Sequence, residues 1–291
     1  MQELRKVVAA TDFSETSEWA ALRAGIIAAR HGVDGTLLHV IEPGLIEFLR
    51  SYSDEPPLLE KVREQAIALL QSLSERVARE TQGRLQPTFR EGRVLDEVLA
   101  ASGDGALLVL GSRGLRGIRD YFLGSTARNL LYRQSGPVLV VKGPAREEYR
   151  NVLVATDFSS HSAAALQRAH RLFPDARLQA VHVVADMVDN RMSYAGVDEG
   201  VLAEYRDKAK ARAKTDLKDF LVKCGANEAV ADTKVLSGDP VTALTKMASG
   251  SEADLVVMGK QGRSGLGDMV MGGVTQHLLQ SDGFDVLVEC L

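Results

Sequence analysis

Thr11-Asp12-Phe13-Ser14 recurs unchanged as Thr156-Asp157-Phe158-Ser159, 145 residues later, each time directly behind a short apolar run, Val7 to Ala10 and Val152 to Ala155. The register continues, with His39-Val40 returning as His182-Val183 at an offset of 143 and Gly111 as Gly259 at an offset of 148. A self-similarity of this length means two copies of a domain, because solenoid and propeller units repeat every 20 to 50 residues or so. The drift of a few residues belongs in loops. The copies meet near Gly143-Pro144-Ala145-Arg146-Glu147-Glu148, where a Gly-Pro break among charges reads as a short linker. The expected domains are therefore 1–145 and 149–291, each close to the commonest domain size.

Within the first copy, strand-like runs (Lys6 to Thr11, Gly35 to Glu42, Leu85 to Glu91, Ala106 to Gly111, Pro137 to Lys142) alternate with helical patterns near Ser17 to His31, Leu58 to Thr81, Val94 to Ser102 and Ser125 to Gln134. The second copy repeats the order from Asn151 to Leu291. Such alternation predicts an α/β fold of βαβ units, a parallel sheet with helices on both faces. Leu107-Leu108-Val109-Leu110 and Leu255-Val256-Val257-Met258 show no polar alternation, the pattern of strands buried on both faces. Trp19 is expected to carry core contacts from the first helix. Pro43 to Pro57 and Ala185 to Asp198 vary most between the copies, and read as surface insertions or a lid after the second strand.

Composition narrows the partners. The net charge is -4 across 291 residues, which lacks the basic face that duplex binding requires, so no nucleic acid partner is expected. No apolar run reaches the length of about 18 residues that a membrane span requires, and the chain is expected to be soluble and cytoplasmic. Cys224 and Cys290 stand alone, without CxxC or Cys/His spacing for a disulfide framework or zinc. His31, His161, His170 and His277 show no metal-ligand spacing, and His39 and His182, inside apolar strands, read as satisfied structural residues.

The chemistry concentrates after the fourth strand, in Gly111-Ser112-Arg113-Gly114, nine residues, then Gly124-Ser125-Thr126. A strand opening through glycines into a helix start suits a phosphate, held by backbone N–H groups and the helix dipole. Gly111 and Gly114 would let backbone approach the ligand and can take positive φ. Arg113, Arg116 and Arg119 add cations. Ser125 reads as a phosphate donor or as a helix cap; Asp12, ending the first strand, reads as a partner of a ribose hydroxyl or base edge, or as a cap of the next helix. In open α/β sheets ligands bind beyond the carboxyl ends of the strands, where strand order reverses. No Walker loop, G-x-G-x-x-G opening or G-x-S-x-G elbow is present. No general base beyond Asp12 is evident.

With Asp12 and the spacing of Gly111, Gly114, Gly124 and Ser125, the chain resembles the universal stress protein family over essentially its whole length. That resemblance implies two tandem open five-stranded parallel sheets of strand order 3-2-1-4-5 that pair internally through their last strands as a pseudo-dimer, alone or within a homodimer. It further implies ATP or AMP as ligand, with Mg²⁺ bridging the phosphates. Asp12 would face the ribose or base, Val40 the adenine, and Gly111, Arg113, Gly114, Gly124, Ser125 and Thr126 the phosphates. The implied function is that of a stress-response regulator or sensor, with a slow ATP hydrolase or phosphotransferase and an interaction scaffold as the competing readings. The second copy keeps Asp157, Val183, Gly259, Gly262 and Gly272, but Gly273 stands where a hydroxyl is expected. Its site is expected to be weaker, with the N–H of Gly273 retained and Thr275 nearby.

Overall fold

A computed structural model describes residues 3–52, 57–114, 123–145, 147–185, 198–250, 253–262 and 271–290. The chain divides into two compact units, Met1–Glu148 and Tyr149–Glu289.

The first unit runs β1 (Lys6–Ala10), α1 (Glu15–His31), β2 (Asp34–Ile41), α2 (Pro43–Tyr52), α3 (Pro57–Thr81), β3 (Leu85–Glu91), α4 (Val94–Ser102), β4 (Ala106–Gly111), α5 (Ser125–Arg133) and β5 (Val138–Val141). Its strands are all parallel in the order β3-β2-β1-β4-β5. From β1 the chain steps to β2 on one side and later from β3 to β4 in the opposite sense. Right-handed crossovers then place the connecting helices on opposite faces. α1 packs with α3, and α4 with α5. Val7, Val8, Leu107, Leu108, Val109, Leu139 and Val140 are fully buried, as unalternating apolar strands between two helical layers must be. α1 presents Ala20, Ala21, Ala24 and Ala28 inward, and these small side chains let it lie close over β1 and β4. Trp19, expected in the core, is only half-buried. The segment after β2, anticipated as an insertion or lid, contains α2. Ile46 of α2 packs with Ile41, Ala66, Phe13 and Phe89, so a helix stands beside the rim.

The second unit repeats the order: β6 (Asn151–Ala155), α6 (Ser160–Leu172), β7 (Arg177–Val184), α7 (Glu199–Lys223), β8 (Val230–Ser237), α8 (Pro240–Gly250), β9 (Leu255–Gly259), α9 (Gly273–Gln280) and β10 (Asp285–Glu289). Its parallel strands run β8-β7-β6-β9-β10. Most of the variable segment Ala185 to Asp198 lies outside the described residues.

A buried charge pair ties α6 to β10 in this unit. Arg168 meets Glu289 through two hydrogen bonds, Nε to Oε2 at 2.9 Å and Nη2 to Oε1 at 3.1 Å, with side chains 8% and 2% exposed. Arg23, at the equivalent place in α1, donates from Nη1 to the Glu147 carbonyl at 2.5 Å. Paired, the charges of Arg168 and Glu289 offset each other's desolvation; removing one strands the other. Arg168→Met should therefore cost about 3–5 kcal/mol of unfolding free energy, and Arg168→Met/Glu289→Leu should recover most of it, read by chemical denaturation. Equal losses in the single and double variants would contradict this account.

Candidate functional site

β1 and β4 are neighbours, with Ala10 opposite Leu110, so both strands release the chain at the same point of the rim, where strand order reverses. Beyond β1, Phe13 takes φ 64°, a left-handed turn uncommon for an aromatic residue. Three bonds hold that turn. The Phe13 N–H donates to Thr11 Oγ1 at 3.0 Å, the Ser14 N–H donates to Asp12 Oδ1 at 3.1 Å, and Ser14 Oγ caps α1 by accepting from the Ser17 N–H. Ser14 is thus the cap, and Asp12 closes the turn one step earlier.

His39 of β2 supports the same turn. Its Nδ1 is 2.8 Å from the Thr11 carbonyl, and its ring lies 4.4 Å from that of Phe13, tilted by 34°. Burial lowers its pKa, against the opposing effects of the Thr11 bond and the Asp12 charge. The reading of His39 as a structural residue matches this geometry.

The glycine loop docks on the turn. Thr16 Oγ1 donates to the Arg113 carbonyl at 2.5 Å and accepts from the Arg113 N–H at 3.3 Å, while Ser14 Oγ donates to the same carbonyl at 3.2 Å. Sequence reasoning missed this clamp, although hydroxyls at both 14 and 16 in a first helical turn were the available signal. The positive φ open to Gly111 and Gly114 is adopted by neither, and both are crowded by protein. A Cβ on Gly111 would lie 2.7 Å from the Ser17 nitrogen and the Thr16 carbonyl carbon, and one on Gly114 would lie 2.6 Å from Asp12 Oδ2. Glycine 111 lets β4 meet the start of α1; glycine 114 lets the loop lie against the carboxylate.

The loop closes where it opened. The Gly124 N–H donates to the Ser112 carbonyl at 3.0 Å, and a Cβ on Gly124 would lie 3.9 Å from the Gly114 nitrogen. Two glycines ten residues apart thus become neighbours. Arg116 and Arg119 fall outside the described residues. Gly124 is the cap residue of α5, without a side-chain cap bond, and no acidic residue occupies the first turn. Ser125 is therefore not the cap. It opens the helix with its side chain exposed, as is that of Thr126, and the N–H groups of this first turn have no intrahelical partner. Asp12, Arg113, Gly114, Gly124, Ser125 and Thr126 gather at the rim, and Val40, half-buried, lies next to last in β2, paired with Arg90 of β3.

The second unit reproduces the turn almost atom for atom. Phe158 has φ 66°, the Ser159 N–H donates to Asp157 Oδ1 at 3.1 Å, and Ser159 caps α6. His182 Nδ1 is 2.8 Å from the Thr156 carbonyl and its ring stacks on Phe158 at 4.2 Å. Val183 is half-buried. A Cβ on Gly262 would lie 2.6 Å from Asp157 Oδ2, and one on Gly259 would meet His161. The Gly272 N–H closes the loop on the Lys260 carbonyl at 3.0 Å. The helix start differs. Gly273 faces open space, Val274 follows it, and Thr275 is buried with its hydroxyl donating to the Gly259 carbonyl at 3.1 Å. The Thr275 hydroxyl is therefore engaged within the protein.

Residues 3–142 and 148–288 each match the universal stress protein family model, so the chain belongs to that family, in tandem form. It is similar over nearly its whole length to a universal stress protein of Mycolicibacterium smegmatis, 29% identical across 97% of this chain and 96% of the relative. A solved universal stress protein from Archaeoglobus fulgidus shares the fold, with a TM-score of 0.70 and 20% identity over 98% of this chain and 96% of that one. Another solved family member is described as in complex with cAMP, at 24% identity over 48% of this chain and 95% of that one, TM-score 0.35. Among the described residues no helix is long and apolar enough to cross a membrane.

Two outcomes follow from the geometry. Gly111→Ala should destabilise the protein by about 1–3 kcal/mol, because backbone and not a flexible side chain blocks the new methyl, whereas Gly273→Ala, in open space at a helix start, should leave stability unchanged or raise it by up to about 1 kcal/mol; denaturation midpoints decide. The lowered pKa of His39 means that, just below the ordinary value of 6.5, the unfolded chain holds a proton that the folded chain does not. The contribution is complete above that pH and is lost as pH falls below it. In His39→Gln the decline in stability between pH 7.5 and 5.5 should be smaller than in the parent protein.

Proposed function

We propose that the first unit binds an adenine nucleotide, ATP or AMP, and that the chain is a cytoplasmic nucleotide-responsive regulator in the stress response. The observation that carries this reading is the convergence, at the switch point of the sheet, of the Asp12 carboxylate with the uncapped, acid-free start of α5 bearing exposed Ser125 and Thr126. Asp12 Oδ1 already accepts from Ser14, but each carboxylate oxygen has two lone pairs, so the group retains capacity for a ribose hydroxyl. Val40 would flank the adenine. The backbone of the Gly111–Gly114 loop, the Gly124 to Thr126 helix start and Arg113 would hold the phosphates, where partial positive charge on the helix end favours an anion. Mg²⁺ would arrive on the phosphates themselves, since it is usually held by one or two carboxylates plus phosphate oxygens, and among the described residues no group of three His, Cys, Asp or Glu could hold a metal.

Binding, not turnover, is the activity proposed. Asp12 is engaged by the Ser14 N–H and packed on Gly114, which suits a fixed acceptor better than a mobile base. The pairing of the two units as an internal pseudo-dimer, and any homodimer, belongs to the same proposal and is supported by the two family domains in one chain.

Titration calorimetry on the intact chain should find about one tight ATP per chain. Ser125→Gly, which copies the second unit, should weaken binding about 10- to 100-fold, the worth of one hydrogen bond to a charged group. An unchanged affinity would remove Ser125 from the site; no ATP binding by the parent protein would end the proposal.

A further inference from the structure

We infer that the rim of the second unit is a nucleoside site, recognising adenosine through its base and ribose and gaining little from phosphates, so that the two units of one chain answer to different ligands. The inference rests on the nucleotide reading of the first unit and extends it. At the start of α1, Thr16, which clamps the first loop, is replaced by His161; the groups that would meet a ligand differ on one side only. At the β1 turn and along β2, Thr11, Asp12, Phe13, Ser14, His39 and Val40 have the identical counterparts Thr156, Asp157, Phe158, Ser159, His182 and Val183. Their geometry is also kept. The turn φ is 64° against 66°, the Asp-to-Ser bond is 3.1 Å in both, the histidine lies 2.8 Å from its carbonyl in both, and a Cβ on the loop glycine would stand 2.6 Å from the carboxylate in both.

Toward the helix start three groups suited to phosphate have been replaced. Arg113 becomes Gln261, Ser125 becomes Gly273 and Thr126 becomes Val274. A cation and two exposed hydroxyls are thus exchanged for a neutral amide, no side chain and an apolar one. Among the described residues neither nearby polar group compensates, since the Thr275 hydroxyl is spent on the Gly259 carbonyl and Lys260, replacing Ser112, is only 6% exposed. Backbone N–H groups remain at the start of α9, where no acidic residue stands in the first turn. A site decaying without selection would lose base- and ribose-facing groups as readily as phosphate-facing ones. Here the losses spare every residue placed to meet base and ribose.

Calorimetry on two full-length variants separates the sites, Asp157→Asn reporting the first unit and Asp12→Asn the second, with adenosine and ATP as the probes and circular dichroism confirming that each is folded. In Asp157→Asn, ATP should bind about 10- to 100-fold more tightly than adenosine. In Asp12→Asn the two ligands should bind within about threefold of each other, under 1 kcal/mol apart. Restoring the lost groups there, as Gln261→Arg/Gly273→Ser/Val274→Thr, should bring back a preference for ATP of at least about tenfold. A second unit that binds neither ligand, or that already prefers ATP by tenfold, overturns the inference while leaving the first site standing. Failure of Asp157→Asn to bind ATP would instead strike the nucleotide reading itself. Should either variant not fold, competition of adenosine against ATP on the parent protein separates the same outcomes: adenosine retained at one site when ATP has filled the other supports the inference, and displacement of adenosine from both sites at the same ATP concentration overturns it.

Discussion

The carboxylate of Asp12 sits between two backbones. It accepts the Ser14 N–H on one side and lies against Gly114 on the other, and much of the rim is placed by that contact. The turn it closes forces Phe13 into left-handed backbone, a conformation that persists only when the surroundings over-determine it. Here they do, through Thr11, Ser14 and the adjoining His39 ring. Because the glycine loop then rests on the carboxylate and is clamped by Thr16, strand end, helix cap and loop cannot be moved independently. A side chain at 114 would displace the acid it is meant to lie beside.

The same contact explains which parts of the rim the two copies share and which differ. The turn and its acid are built from local bonds within a few residues plus one glycine, so they survive copying as a unit. The helix start that closes the loop is attached by a backbone bond from Gly124 or Gly272, and the exposed side chains that follow lie away from the packed core. Residues 125 and 126 were therefore free to differ from 273 and 274 at almost no structural expense, whereas any change at Asp157 or Gly262 would disturb the turn. Burial shows the same contrast elsewhere: Arg168 and Glu289 are held as a pair because neither charge can be left alone in the interior.

Much of this was legible in one dimension. Periodicity and unalternating runs located most strands and helices to within a residue or two, because strands buried on both faces must be apolar throughout. The segment after β2 was less legible, since the copies differ there and the α2 pattern is short. At the site, the spacing of the glycines marked the loop, but the positive φ it allowed at Gly111 and Gly114 is not adopted. Crowding by α1 and by Asp12 is a long-range contact, invisible in any local window, while positive φ is the local explanation that sequence habits supply.

The repeat, the parallel α/β architecture, the order of the motifs and the loss of a hydroxyl at 273 were determined by sequence alone, because they rest on residue type and spacing. Tertiary structure decided which atoms those residues spend on the protein and which stay exposed at the rim. Ser14 proved to be the cap and Ser125 not, Thr275 turned inward, and Gly114 yielded to a carboxylate from a strand about a hundred residues away. Those outcomes depend on strand order, which brings β1 beside β4, and chain-distant groups acquire partners only once the sheet has formed.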